Sequence, residues 1–185
     1  TPQGKRGIAV TYTIRPDATW GDGTPVSTKD VDFTWRVGRH EQTGVSGFEF
    51  YKRVYKINIK NNKTFTLHMD KLFFDYNSIG GFELLPAHLE ETIFKASPVE
   101  YRNRTTFDAD TTNKGLYFGP YRISEVKPGA YVVLVPNETW WGKTPAFKRV
   151  IMRVISNTAA LEANLLSGGI DMISGDLGIT IDQSL

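Results

Sequence analysis

Three histidines, a scatter of carboxylates and one tryptophan pair are the side chains of this 185-residue sequence with chemistry to offer. His40, His68 and His88 show no spacing such as His-x-x-x-His, and no Glu stands where a zinc protease would need one, so no metal site is expected. The chain has no cysteine, which removes disulfides, thiolate metal sites and a cysteine nucleophile together. Gly44 to Gly47 (Gly-Val-Ser-Gly) is not followed by Lys and Ser or Thr, so it is no phosphate loop, and Gly-x-Ser-x-Gly does not occur. Asp22 sits in an Asp-Gly turn and reads first as the residue that shapes that turn. A glycosidase using Asp22 and Asp171 would need the two carboxylates about 5–10 Å apart in a cleft. Trp140-Trp141-Gly142 could stack sugars or bases, but such a pair more commonly covers a sheet end and locks a loop. No catalytic residue and no cofactor is assigned.

The elements that would position these groups follow from periodicity. Ile8, Val10, Tyr12 and Ile14 alternate with polar residues, the pattern of a half-buried strand. Residues 16–25 are turn chemistry, with Asp22-Gly23 supplying a positive-φ position. Ser27 caps a helix, and Asp30 three residues on completes a carboxylate form of the capping box. Val31 and Trp35 share a face of that helix. Residues 40–50 read as a mobile loop. Tyr51–Ile59 and Thr64–Met69 read as a hairpin about Asn61-Asn62-Lys63. Phe82–Leu85 reads as a short strand, and Pro86 opens a helix to about Phe94.

Apolar density drops between Lys95 and Leu116, the best candidate boundary between two parts. Beyond it, Tyr121–Val126 and Tyr131–Val135 flank a turn, Lys127-Pro128-Gly129, suited to type II. Phe147–Ile155 has apolar residues on both faces and reads as a buried strand. Ser156 or Asn157 caps a helix, Gly168-Gly169 ends it, and Ile170–Ile173 reads as a strand parallel to the one before. The loop after Ile173 then lies at a carboxyl edge, where open sheets bind ligands. Asp171 and Asp176 flank it, and Ser174 and Gly175 are small enough for a ligand to approach their backbone. The fold class is α/β (mixed α+β), a mixed β-sheet with flanking helices.

Composition bounds the partners. Hydrophobic residues are 40% and charged residues 23% of the chain, so it is neither disordered nor built of membrane spans. A net charge of +2 with scattered Lys and Arg gives no argument for nucleic acid. The absence of cysteine fits an oxidising compartment such as the periplasm, but many cytosolic proteins of this size also lack cysteine. No leader is evident, and neither end reads as a natural terminus, which makes an internal piece of a longer protein the expectation.

Several motifs, taken in order, resemble a known family. Tyr12-Thr13-Ile14-Arg15, Trp20-Gly21-Asp22-Gly23-Thr24-Pro25-Val26 and Lys29-Asp30-Val31 form one block. Gly119-Pro120-Tyr121, Asn137-Glu138-Thr139-Trp140-Trp141-Gly142 and Ser167-Gly168-Gly169-Ile170-Asp171 form a second. Together they resemble the family 5 extracellular solute-binding proteins, the peptide- and dipeptide-binding components of ABC transporters. Where the family has a Gly-Thr-Gly-Pro-Tyr-like run, this chain has Tyr117-Phe118-Gly119-Pro120-Tyr121.

The resemblance implies one lobe of a two-lobed fold of the periplasmic-binding-protein type II kind. Residues 1–100 would be the α/β subdomain inserted in that lobe, residues 101–185 part of its main domain, and the second lobe would be missing. It implies a binding protein rather than an enzyme, taking an oligopeptide or dipeptide, or else a nickel complex, an oligosaccharide or an opine. It implies delivery to a membrane permease, and a place in the periplasm or anchored on the outer face of the membrane. It also implies ligand contacts at Ser174, Gly175 and Asp176, with Phe50 and Tyr51 near the cleft.

Overall fold

A computed structural model of the chain describes residues 1, 4, 6–72, 74, 76, 77 and 81–173. Two three-stranded antiparallel sheets organise it, one in each half of the sequence. The first has the order β1 (Ile8–Thr13), β3 (Thr64–Met69), β2 (Val54–Ile59). Its centre is β3, whose Phe65, Leu67 and Met69 are buried at every second position. The register sets Val10 and Ile57 on either side of Leu67, so three apolar residues share the rung that faces the core. The β2–β3 turn closes because the Asn61 carboxamide oxygen accepts the Lys63 and Thr64 amides at 2.9 and 2.8 Å.

Helix α1 (Thr28–Gly38) covers this sheet. Its start is the expected one: the Ser27 hydroxyl accepts the Lys29 amide and the Asp30 carboxylate accepts the Ser27 amide at 2.8 Å. Asp30 also accepts the Ala87 amide at 2.9 Å, which ties the start of α1 to that of α3 (Ala87–Ala96). Val31 packs on the sheet, while Phe33 and Val37 pack with Phe94 of α3 and Tyr101. Between Val37 and β2 the chain also forms α2 (Phe48–Arg53).

The expected strand over Phe82–Leu85 does not form a ladder. Its amides are taken by side chains instead: Glu83 N–H donates to the Tyr51 hydroxyl oxygen at 3.2 Å and Leu85 N–H to Thr34 Oγ1 at 2.8 Å. A backbone amide needs a partner, and a side chain satisfies it as well as a strand does. The expected strand from Tyr51 likewise begins only at Val54. The preceding residues turn into α2 after Gly47, whose φ of +82° fixes the entry.

The connection over 95–116 contains turns rather than a free loop: 3-10 turns at Tyr101–Asn103 and Lys114–Leu116 and the one-turn helix α4 (Thr106–Ala109). Tyr101 is 1% exposed. Glu90 of α3 is fully buried beside it and accepts the Thr106 amide at 2.8 Å. Burial raises the Tyr101 pKa, and the neighbouring Glu90 carboxylate raises it further.

The second sheet has the order β4 (Tyr121–Lys127), β5 (Tyr131–Pro136), β6 (Val150–Arg153). The β4–β5 turn is the expected one, with Gly129 at φ +70°. The last strand departs from expectation. It is four residues long, lies at the sheet edge and is largely exposed rather than buried. Helix α5 (Thr158–Leu166) follows, capped by the Asn157 side chain accepting the Ala160 amide at 2.8 Å. It has no buried residue. Ile170–Ile173 forms no strand, so the expected parallel crossover is absent among the described residues. The apolar pattern of 147–155 is real, but β5 covers only one edge of it and no described element covers the rest.

Candidate functional site

Two places in the molecule bring together the residues singled out by sequence. The first is the corner at Phe48–Tyr51. The loop leading to it is pinned: Thr43 is buried, its hydroxyl donates to the Val37 and His40 carbonyls, and the Arg102 guanidinium donates to Gly44 O at 3.2 Å. Helix α2 then presents Phe50 and Tyr51 differently. Tyr51 is 4% exposed and lies flat on Gly38, where an added Cβ would sit 2.2 Å from the ring. Burial pushes its hydroxyl up to about 12. Phe50 is half-buried, edge-on to Tyr51 at 5.6 Å and to Phe82 at 6.4 Å, with Gly81 against its ring. Tyr51 is thus the buried footing of the corner and Phe50 its partly exposed ring. Beside them, Lys52 Nζ stands 5.5 Å from the Phe48 ring centroid.

The second place is the joint between the two sheets. The turn at Trp20–Pro25 and the loop at Asn137–Trp141, far apart in sequence, meet there. Trp20 is fully buried, with Phe118 edge-on at 5.0 Å. Gly21 N–H donates to Tyr117 O at 2.7 Å, and Thr139 Oγ1 donates to Trp20 O at 3.0 Å. Gly21 has to be glycine for this approach, since a Cβ would lie 2.5 Å from Lys114 O. Asn137, 4% exposed, donates to Gly119 O at 2.9 Å and accepts the Thr139 hydroxyl at 3.1 Å.

Asp22 lies at the rim of this joint with both oxygens engaged. One accepts the Thr24 amide at 2.9 Å and the other stands 2.9 Å from His88 Nε2. Burial works to raise its pKa, but the Thr24 amide and hydroxyl and the His88 ring outweigh burial and hold it below the usual carboxylate value. A Cβ on Gly115 would meet this pair at 2.7 Å, so the second half of the chain sits directly on it. The turn-shaping role read from the sequence is what the geometry shows. The His88 partnership is new: 66 residues separate it from Asp22, and no local pattern announces it.

The tryptophan pair is also occupied. The two rings lie 4.3 Å apart, the Arg15 guanidinium sits 4.7 Å above Trp141, and Trp141 packs on Ala18, Trp20 and Val26. Trp140 Nε1 donates to Lys143 O at 3.0 Å and its ring lies against Gly142. The pair locks the loop to the joint. Among the described residues no group of three or more His, Cys, Asp or Glu could hold a metal ion, and no helix is long and apolar enough to cross a membrane. Asp171 is exposed at the end of the described chain, and Ser174, Gly175 and Asp176 lie outside the described residues.

Comparison with known proteins places these motifs. The model of the bacterial extracellular solute-binding proteins, family 5, matches residues 5–183. The chain belongs to that family. The oligopeptide-binding protein of Lactococcus lactis subsp. cremoris (strain SK11) is 26% identical over 190 aligned residues, covering 92% of this chain and 31% of the relative. Among solved structures, the oligopeptide-binding protein of Thermus thermophilus, complexed with a pentapeptide, matches with a TM-score of 0.72 and 24% identity. That match covers 90% of this chain and 32% of the other. NikZ from Campylobacter jejuni, in complex with Ni(L-His), matches with a TM-score of 0.75 at 23% identity over 90% of this chain and 32% of the other. These likenesses establish the fold, the periplasmic-binding-protein type II-like class. The chain spans about a fifth to a third of the length of the curated relatives it matches.

Proposed function

We propose that the chain is part of the ligand-capturing component of an ABC importer, a binding protein and not an enzyme, that takes up an oligopeptide or dipeptide and hands it to a membrane permease. The observation that carries this reading is the family match over residues 5–183, whose two motif blocks meet in one joint. The oligopeptide-binding relative from Lactococcus lactis supports the ligand class. In this reading residues 1–100 are a subdomain inserted in the first lobe and residues 101–185 are part of that lobe's main domain. The working place is the periplasm or the outer face of the cell membrane. Phe50 offers its partly exposed ring to an apolar ligand side chain, Tyr51 holds it in place, and Ser174, Gly175 and Asp176 approach the ligand backbone. Backbone pairing with roomy side-chain pockets suits a ligand of varied sequence, and closure of two lobes around it is a hinge motion.

A thermal-shift screen of the complete gene product against di- to pentapeptides, oligosaccharides, opines and nickel chelates tests the reading. A rise in Tm with peptides alone supports it. A rise only with a nickel chelate, a sugar or an opine overturns the peptide assignment. Phe50→Ala is expected to weaken peptide affinity and, because the ring also packs on Tyr51 and Phe82, to lower Tm modestly in the absence of ligand.

A further inference from the structure

A recess between the end of α1 and α3 holds a charge that no acid in the fold answers. Trp35, Arg36, Arg39, His40 and Phe94 line a hollow of about 390 Å³. That is at the small end of ligand sites, which run from about 300 to 1,000 Å³. Its apolar walls are fixed: Trp35 Nε1 donates to Val54 O at 2.8 Å, and Phe94 packs with Phe33, Val37 and Tyr101. The two arginines differ. Arg36 is engaged, donating to Asp32 at 2.9 Å and to Glu91 at 2.7 Å, and its hydrogen bond is the main cause that holds the Glu91 carboxyl below its usual value. The Arg39 guanidinium stands 4.8 Å from the Trp35 ring centroid and has no ion-pair partner among the described residues. The helix end does not occupy it either, since the Trp35 and Val37 carbonyls are taken by the Arg39 and His40 amides and the Thr43 hydroxyl. The His40 ring stands edge-on to Phe94 at 5.6 Å. Its Nδ1 is buried without a partner, and only Nε2 is left for an outside group to reach. The ring proton of neutral His40 therefore belongs on Nε2, where an acceptor can meet it.

We propose that this recess is an accessory site for a small carboxylate carried on a single apolar ring. The Arg39 guanidinium, held over Trp35, donates to the carboxylate, His40 Nε2–H donates to the same group, and the ring lies against Trp35 and Phe94. Three features select this ligand. The planar fork of a guanidinium matches the two oxygens of a carboxylate. One unanswered cation suits one negative charge, because Arg36 already faces Asp32 and Glu91. The open groups of the lining side chains are donors, so a ligand ammonium finds no acceptor among them and a simple acid fits better than an amino acid. The volume admits a ring and its carboxylate rather than an extended peptide. No residue of the recess belongs to the Phe48–Tyr51 corner, so the inference does not rest on the peptide reading.

The test is titration of the complete gene product with benzoate, and with benzamide as the uncharged probe of the same shape, read by calorimetry and by the NMR signals of the His40 ring. The expected result is saturable benzoate binding that moves the His40 signals, with benzamide far weaker. Arg39→Gln should weaken benzoate by about ten-fold or more, the loss of a hydrogen bond to a charged group. Arg39 is exposed, so this variant should change Tm little, which separates lost binding from a lost fold. Absence of saturable benzoate binding to the wild type overturns the proposal and needs no variant to read. Equal binding of benzamide overturns the carboxylate. Benzoate binding that survives Arg39→Gln but is lost in Phe50→Ala assigns it to the Phe50 corner and overturns the accessory site.

Discussion

Among the described residues the two sheets have the same number of strands and the same antiparallel pairing, yet only one of them has a core. In the first, every second residue of the central strand is buried under α1, and that helix is backed by Phe94 of α3 and by Tyr101 from the turn that follows. In the second, the central strand buries Val133 alone, the edge strand is exposed, and α5 buries nothing. The amino-acid types do not explain this, for Val150–Ile155 is as apolar as Phe65–Met69. The difference lies in what covers them. A sheet becomes stable by burying a face, and pairing three strands does not supply the second layer. The first half brings its own layer, and the second half borrows what it has from the joint.

The comparison breaks first at the centre of the first sheet and the edge of the second. Leu67→Ala removes a fully buried side chain and is expected to cost about 2–5 kcal/mol, read by chemical denaturation. Ile151→Ala, the corresponding truncation in β6, is expected to cost less than about 0.5 kcal/mol in residues 1–185. Equal losses would mean that the second sheet is covered after all. Asn137→Ala, at the joint, removes a buried donor and acceptor and leaves Gly119 O without its amide partner, an expected loss of about 1–3 kcal/mol. A loss confined to the second half, seen as faster exchange in β4 and β5 with β3 unchanged, would sharpen the contrast.

The smallest effect is electrostatic. The Arg122 guanidinium, by its paired hydrogen bonds, holds the Glu138 carboxyl down to about 2. A carboxylate depressed in the folded state stabilises it above the unfolded value of about 4.3, and that contribution fades as pH falls through about 2. Glu138 is over half exposed, so solvent leaves only about 0.2–1 kcal/mol. Glu138→Gln should lower stability by that amount above pH 5 and flatten the fall between pH 5 and 2, so that variant and wild type converge near pH 2.

Much of the first half was legible in sequence because its signals are local. The alternation of β1 and β3, the Ser27–Asp30 box and the Asn61 turn each lie within a few residues, and each forms as read. The failures share one cause. At Phe82–Leu85 the residues suit a strand, but Tyr51 and Thr34, far off in sequence, take the amides. At 147–155 the pattern anticipates a covering layer that no described residue provides. For the candidate site, the resemblance named Phe50 and Tyr51 as a pair, and only the structure separates the partly exposed ring from the buried one. The Asp22–His88 contact had no local signal at all.

The joint has one further property. Its hydrogen bonds run largely to main-chain oxygens: Thr139 to the carbonyl of Trp20, Gly21 to that of Tyr117, Asn137 to that of Gly119. A carbonyl is the same whatever side chain follows it. A receiving position can therefore change identity without losing its bond, as at Tyr117, whose carbonyl and not its side chain takes the Gly21 amide. Orientation is written into a few donor residues, and the loops around them are left open to vary.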